Sequence, residues 1–164
     1  LKLPVKKVNM MRDLMFDFGS VARFLEERKC RRIAALVPAA YPRSNPSFLI
    51  AGLKACGVRI MPKHIRSVEP EEVSARDWAE IGYRTVRDFL ASPSRPDALI
   101  VYPDNAVLGA IQAILESGIR VPEELSLVFH RNLELSYFCA LDAFYIDTRI
   151  ADVATQLVQS ILEK

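Results

Sequence analysis

The sequence predicts an α/β domain: three layers, with a parallel sheet in the middle and helices on both faces. Three observations carry this. Short aliphatic runs, such as residues 31–37 and 97–102, alternate with stretches of helical periodicity. Those runs lack the in–out alternation of a half-exposed strand, as expected for strands covered on both sides. Glycines such as Gly57 and Gly118 close the helical stretches before the next strand begins. The alternation builds βαβ units and therefore a Rossmann-like parallel sheet with right-handed crossovers.

The elements follow in order. Phe18, Val21, Ala22 and Leu25 share a helix face, preceded by an extended piece at 5–9. Residues 31–37 (RRIAALV) form a strand, and 46–56 a helix closed by Gly57. The stretch 48–56 is apolar nearly all round, which suits either the core or a subunit contact. A weaker strand falls at 58–61, with a continuation to Ile65 left open. Trp78, Ile81, Thr85 and Phe89 define the next helix, with Glu71 and Glu72 near its start. The strand 97–102 precedes a helix marked by Val107, Ile111, Ile114 and Leu115 and ended by Gly118. Residues 125–129 are the next strand and 141–146 a short one. Ile150, Val153, Ala154, Leu157, Val158 and Ile161 place a last helix in register.

A chain of 164 residues, 51% of them apolar, supports one domain with a substantial core. Its 22 basic and 20 acidic residues nearly cancel. A domain that grips nucleic acid by itself carries a basic stripe, and none is visible. The densest basic cluster, Lys29 with Arg31 and Arg32, reads as a solvated rim. Cys30, Cys56 and Cys139 are scattered and odd in number, which fits a reducing cytoplasm better than a disulfide framework. No apolar run approaches the ~20 residues of a membrane span. The chain starts at Leu1 rather than Met, so part of a longer protein is expected.

Ligands of an open parallel sheet bind beyond the carboxyl ends of its strands. That rule selects the loops 38–47, 62–72, 102–105 and 129–138. The first offers Tyr41, Arg43, Ser44 and Asn45; the third offers Tyr102, Asp104 and Asn105. The fourth offers His130, Arg131, Asn132 and Glu134, with Tyr137 and Phe138 behind. Donors, acceptors and aromatic faces together suit a polar organic ligand. Plainer roles stay open. Asp104, Ser44 and Asn45 could be helix N-caps, His130 and Arg131 could face solvent, and Tyr102 could pack on its neighbours. Catalytic templates are missing: there is no phosphate loop, no GxGxxG, no nucleophile elbow and no metal-spaced histidine pair. Histidine occurs only as His64 and His130. The expectation is no enzyme, no cofactor and no metal.

Residues 95–130 (RPDALIVYPDNAVLGAIQAILESGIRVPEELSLVFH) resemble the lac-repressor (LacI/GalR) family. That family carries "N-D-x-x-A-x-G" and then "G-x-x-V-P-x-D-x-S-V-V-G-F-D". Arg95, Pro96, Asp104, Leu108, Gly109, Gly118, Val121, Pro122, Ser126 and Val128 fall in step. Residues 24–37 resemble the preceding segment, with Lys29 and Cys30 in place of its Gly and His, and 149–162 match the final helix. The resemblance covers roughly 15–162.

It implies the C-terminal lobe of a two-lobed, periplasmic-binding-protein-like sensor, with the first lobe and a LacI-type or GntR-type DNA-binding head lying outside this chain. It further implies a small-molecule effector, a homodimer, contact with DNA through the head alone, no membrane and a cytoplasmic location. The pieces at 5–9 and 141–146 would be crossovers pairing with the other lobe. Three departures bear on the ligand. The family's sugar-binding arginine is Leu49 here, ahead of Gly52. Its "G-F-D-D" turn reads Phe129, His130, Arg131, Asn132, and the Asn before Asp104 is Pro103. Loss of a guanidinium and a carboxylate argues against an ordinary hexose. Arg131 and Arg43 instead favour an anionic effector, or the pocket is degenerate. The competing reading is a solute-binding protein of a transporter, and a weaker one is an α/β sugar-phosphate enzyme.

Overall fold

The computed structural model describes residues 17–38, 48–68, 75–135 and 138–162. Five strands form one sheet: β1 (Ile33–Pro38), β2 (Ile65–Val68), β3 (Ala98–Val101), β4 (Ser126–Asn132) and β5 (Phe144–Thr148). Their order is β2-β1-β3-β4-β5, and every neighbouring pair runs parallel. The chain reverses its direction of winding between β1 and β3, so their exit turns diverge there and open a crevice. Among the described residues the α-helices are α1 (Phe18–Glu27), α2 (Phe48–Ala55), α3 (Ala75–Ala91), α4 (Val107–Ser117) and α5 (Ile150–Leu162).

Side-chain alternation along each strand divides the interior in two. Leu36, Leu99, Val101, Leu127 and Phe129 meet Trp78 and Val86 of α3 and Val107, Ala110 and Ile114 of α4. On the other face Ala35, Val37, Ile100, Val128 and Ile146 meet Val21 and Leu25 of α1 and Leu53 of α2. The predicted three-layer fold is therefore the observed one. β3 is buried along its whole length, which is why 97–102 shows no alternation.

Two glycines set how closely α3 and α4 approach. A Cβ on Gly109 would lie 1.7 Å from the Ala79 carbonyl oxygen, and one on Gly82 would lie 2.1 Å from that of Ala106. At the opposite end of the sheet from the exit turns, the Asp97 carboxylate accepts the backbone N–H groups of Arg31 (2.9 Å) and Arg32 (2.8 Å). Arg31 and Arg32 are exposed there, as a solvated rim requires.

Three elements depart from expectation. The second strand is Ile65–Val68, not 58–61; a 3-10 turn, Pro62–His64, intervenes because Pro62 ends any pairing that the apolar 58–61 could start. β4 runs on to Asn132, so His130 and Arg131 belong to the strand and not to a loop. The piece expected at 141–146 lies at Phe144–Thr148 and pairs with β4 of its own sheet, from Val128↔Phe144 to Asn132↔Thr148, where pairing with another lobe was implied. In α2, Leu53 is buried while Lys54 and Ala55 are exposed, so only one side of this apolar helix faces the core. The piece at 5–9 and the pair Glu71 and Glu72 lie outside the described residues.

Candidate functional site

β3, β4 and β5 deliver their last residues to one rim. Tyr102 follows β3 and donates its backbone N–H to Leu36 of β1 at 2.9 Å, which extends the sheet by one bond. Its ring lies against the His130 ring, with centroids 4.4 Å apart and planes tilted by 46°. Burial, and then the Asp104 charge, push the Tyr102 phenol above its ordinary pKa, so it stays a neutral donor. The chain then enters the turn Asp104–Ala106, which leads directly into α4.

His130 is 5% exposed, and both of its ring nitrogens are engaged. Nδ1 stands 3.1 Å from the backbone nitrogen of Asp104. An amide N–H can only donate, so Nδ1 is the acceptor and the proton sits on Nε2. Nε2 lies 3.0 Å from Thr148 Oγ1, to which it donates. Burial pushes the imidazole below its ordinary pKa, against the opposing pull of Asp104 and Asp147. A neutral ring with both nitrogens occupied is no ready general base.

Asp104 holds its own turn. Its Oδ1 accepts the Asn105 N–H at 3.0 Å and lies 3.8 Å from His130 Nδ1. The N-cap expected as its plainer role is not what Asp104 does: Pro103 and Ala106 stand at the two N-cap positions without a side-chain cap bond, and the Asp104 carboxylate serves only the amide of the next residue. Asn105 Oδ1 is buried and has no hydrogen-bond partner among the described residues.

Arg131 points to the opposite face of the sheet from His130, as strand alternation dictates. Its Nε and one Nη contact the two oxygens of Asp147 at 2.7 and 2.8 Å. The guanidinium also lies 4.1 Å from the centroid of the Tyr145 ring. Further along, Asn132 Oδ1 accepts the Glu134 N–H at 3.0 Å, and Glu134 Oε1 accepts the Ala151 N–H at the start of α5 at 3.2 Å. Glu134 is therefore a helix cap whose charge suits the positive end of that helix.

Of the residues singled out from sequence, Tyr102, Asp104 and His130 come together, and Arg131 stands beside them across the sheet. Leu49 falls in α2, three residues before Gly52. Tyr41, Arg43, Ser44, Asn45 and Tyr137 lie outside the described residues. Thr148, Asp147 and Tyr145 were missed. The alternating Phe-Tyr-Ile-Asp-Thr of 144–148 was the available signal, had the strand been placed there. Among the described residues no group of three His, Cys, Asp or Glu could hold a metal. Among the described residues the rim offers a phenol, a carboxylate, a carboxamide and a salt-bridged guanidinium, groups that can donate and accept hydrogen bonds to a polar ligand.

A parallel sheet of this order, with a phenol, a carboxylate and an imidazole gathered at its exit rim, defines an open α/β lobe. Comparison with known proteins makes that specific. Residues 22–164 match the model of the periplasmic binding protein-like domain, so the chain belongs to that family. Over 143 residues it is 29% identical to the HTH-type transcriptional repressor CytR of Escherichia coli (strain K12), covering 85% of this chain and 38% of that protein. Over 123 residues it is 31% identical to the HTH-type transcriptional repressor PurR of Escherichia coli O139:H28, covering 74% of this chain and 35% of that one. This chain thus spans little more than a third of the curated relatives it matches. A LacI family transcriptional regulator from Lactobacillus casei, solved with bound sucrose, shares the fold at a TM-score of 0.64. Its sequence identity is 14%, and the match covers 89% of this chain and 53% of that one. The resemblance to LacI-type regulators read from 95–130 therefore holds across most of the chain.

Proposed function

We propose that this chain is the effector-sensing lobe of a LacI-type transcription regulator, and that it takes a small polar ligand at the exit ends of β3, β4 and β5. The convergence of Tyr102, Asp104 and His130 on one rim carries the reading. A second lobe would close the ligand in, and the energy difference between open and closed states would set DNA affinity through a head outside this chain. Contact with DNA through that head alone fits the absence of a basic stripe here. Asp147 already neutralises Arg131, which supports a neutral, hydroxyl- or N–H-rich ligand over an anion.

A twofold dimer would match half-sites on DNA. Its support is an apolar stripe on α4: Leu108 and Leu115, 54% and 58% exposed, flank Ile111 on one helix face. A DNA-bound regulator works in the cytoplasm, where the free thiols of Cys30, Cys56 and Cys139 are stable. No helix among the described residues is long and apolar enough to cross a membrane.

The test is calorimetry of the regulator against neutral hexoses, sucrose and hexuronates. Binding of a neutral member that weakens about tenfold or more in Asp104→Ala sustains the reading, a carboxylate hydrogen bond being worth ~1.5–3 kcal/mol. Binding indifferent to both Asp104→Ala and Tyr102→Ala overturns the site. Tighter binding of the hexuronates overturns the preference for a neutral ligand.

A further inference from the structure

Among the described residues His130 is the one buried ionisable side chain at the rim, and it ties three successive strand ends together. It stands on β4, accepts from the turn after β3 and donates to the last residue of β5. We propose that His130 is a positioning residue that does not itself touch the effector: its Nδ1 fixes the Asp104–Asn105 turn through the Asp104 amide, and protonation of the ring releases that turn. The argument is one of hydrogen-bond direction. The Asp104 N–H is held only while Nδ1 carries a lone pair. A proton there would set two N–H groups against each other across 3.1 Å. The carboxylate of the same residue, with Oδ1 3.8 Å from Nδ1, is then the acceptor to which the new N–H turns. Asp104 Oδ1, which now holds the Asn105 amide at 3.0 Å, is drawn toward the ring at the same time, so the strain reaches Asn105 as well.

The groups around the ring agree on this outcome. Tyr102 of β3 covers one face, and Thr148 of β5 occupies Nε2. The charges acting on the ring are Asp104 from the turn and Asp147 from β5, both favouring the proton, and burial opposes them. Arg131, next along β4, is tied to Asp147 in a fork that softens that second pull. Acid therefore finds a site whose neutral form is held by geometry and whose charged form already has its acceptor within reach. For the sensor reading, on which this consequence rests, effector affinity falls as the ring protonates, because Asp104 and Asn105 are no longer presented together.

The experiment needs no effector. In the whole chain carrying His64→Gln, His130 is the one histidine left, the sequence having two. Nitrogen-15 spectra of the ring then report its tautomer and titration, and amide hydrogen exchange reports the Asp104 N–H. The expected result is an Nε2–H tautomer at neutral pH. The Asp104 amide, corrected for intrinsic pH dependence, should exchange about tenfold faster with the midpoint of the ring titration. His130→Asn keeps an acceptor near the Nδ1 position and leaves Asp104 protected at every pH. His130→Gln keeps only the Nε2-like donor and leaves it unprotected. Protection of Asp104 that ignores the ring titration, or that survives His130→Gln, overturns the proposal. If a variant unfolds, as loss of protection at Val128 in β4 would show, the titration of the unsubstituted ring still decides. A failed ligand screen leaves this result untouched, and a failed amide titration leaves the sensor reading standing.

Discussion

Arg131 on β4 grips Asp147 on β5 with two bonds of 2.7 and 2.8 Å, directly across the register pair Arg131↔Asp147. The cation that the sequence analysis expected to meet a ligand is thus held by an acid from the neighbouring strand. Both side chains are about a third exposed, at 35% and 39%, so solvent screens the pair. Its bidentate form and the Tyr145 shelf beneath it put it toward the upper end of surface pairs, roughly 0.5–1 kcal/mol. A double-mutant cycle with Arg131→Met and Asp147→Asn, followed by urea unfolding, should return a coupling energy in that range. Removing Asp147 alone should also strengthen retention of a hexuronate, since it uncovers the guanidinium. An Asp147→Asn protein with unchanged hexuronate affinity would show that Arg131 does not face the ligand.

The packing of α3 on α4 depends on two missing methyl groups. Gly109→Ala places a Cβ 1.7 Å from the Ala79 carbonyl oxygen, and Gly82→Ala places one 2.1 Å from that of Ala106. The obstacles are backbone atoms, so relief requires the helices to part, and overpacking of this kind costs ~1–3 kcal/mol. Gly118→Ala is a useful contrast: its φ of 67° strains any L side chain, but open space surrounds it. About 1 kcal/mol is expected there from the backbone alone. Urea midpoints should order Gly109→Ala and Gly82→Ala below Gly118→Ala. The reverse order would mean the crossing is looser than the distances indicate.

How much of this was readable beforehand follows from the kind of signal each residue carries. β1 and β3 are aliphatic runs and β4 turns apolar at 127–129 after one serine, and their burial on both faces leaves no alternation to misread. β2 is half-exposed, and its Ile-Arg-Ser-Val carries less apolar character than the preceding 58–61, so hydrophobicity pointed to the wrong stretch. β5 ends in Asp147 and Thr148, which bond Arg131 and His130, and their polarity put the expected end of the strand at 146. The polar character of the strand end thereby hid the strand. Tyr102, Asp104 and His130 were singled out by the rule of strand exits, which needs only topology, and they do lie together. The Arg131–Asp147 fork and the His130–Thr148 bond need register, which no pattern in the chain supplies.

The α4 stripe offers a test of association separate from ligand binding. Leu108 and Leu115 are more than half exposed, so replacing them removes little from the monomer's core. For the dimer proposed above, Leu108→Glu with Leu115→Lys should shift sedimentation from dimer to monomer while changing the unfolding free energy of the monomer by no more than ~0.5 kcal/mol. Full dimerisation in the double variant would assign the interface to another surface, with Phe138, 89% exposed, the next to substitute.

Stability toward acid follows from the imidazole. His130 is held below its ordinary pKa in the folded chain, chiefly by burial. On unfolding the ring returns to about 6.5, so between the two values the unfolded chain binds the proton that the folded chain refuses. The sign is therefore fixed: stability is complete above about pH 6.5 and falls as pH drops through that value. The loss levels off only below the folded-state pKa, where both forms are protonated. His130→Asn removes the titration, so the difference in unfolding free energy between it and the parent protein should shift in the variant's favour as pH falls from 7 toward 5. Carboxylates such as Asp17 also titrate toward the acid side, but they do so in both proteins and cancel in that difference. A difference that stays flat across the interval would mean the ring is not charged preferentially in the unfolded chain, and the buried, doubly bonded imidazole would have to be abandoned.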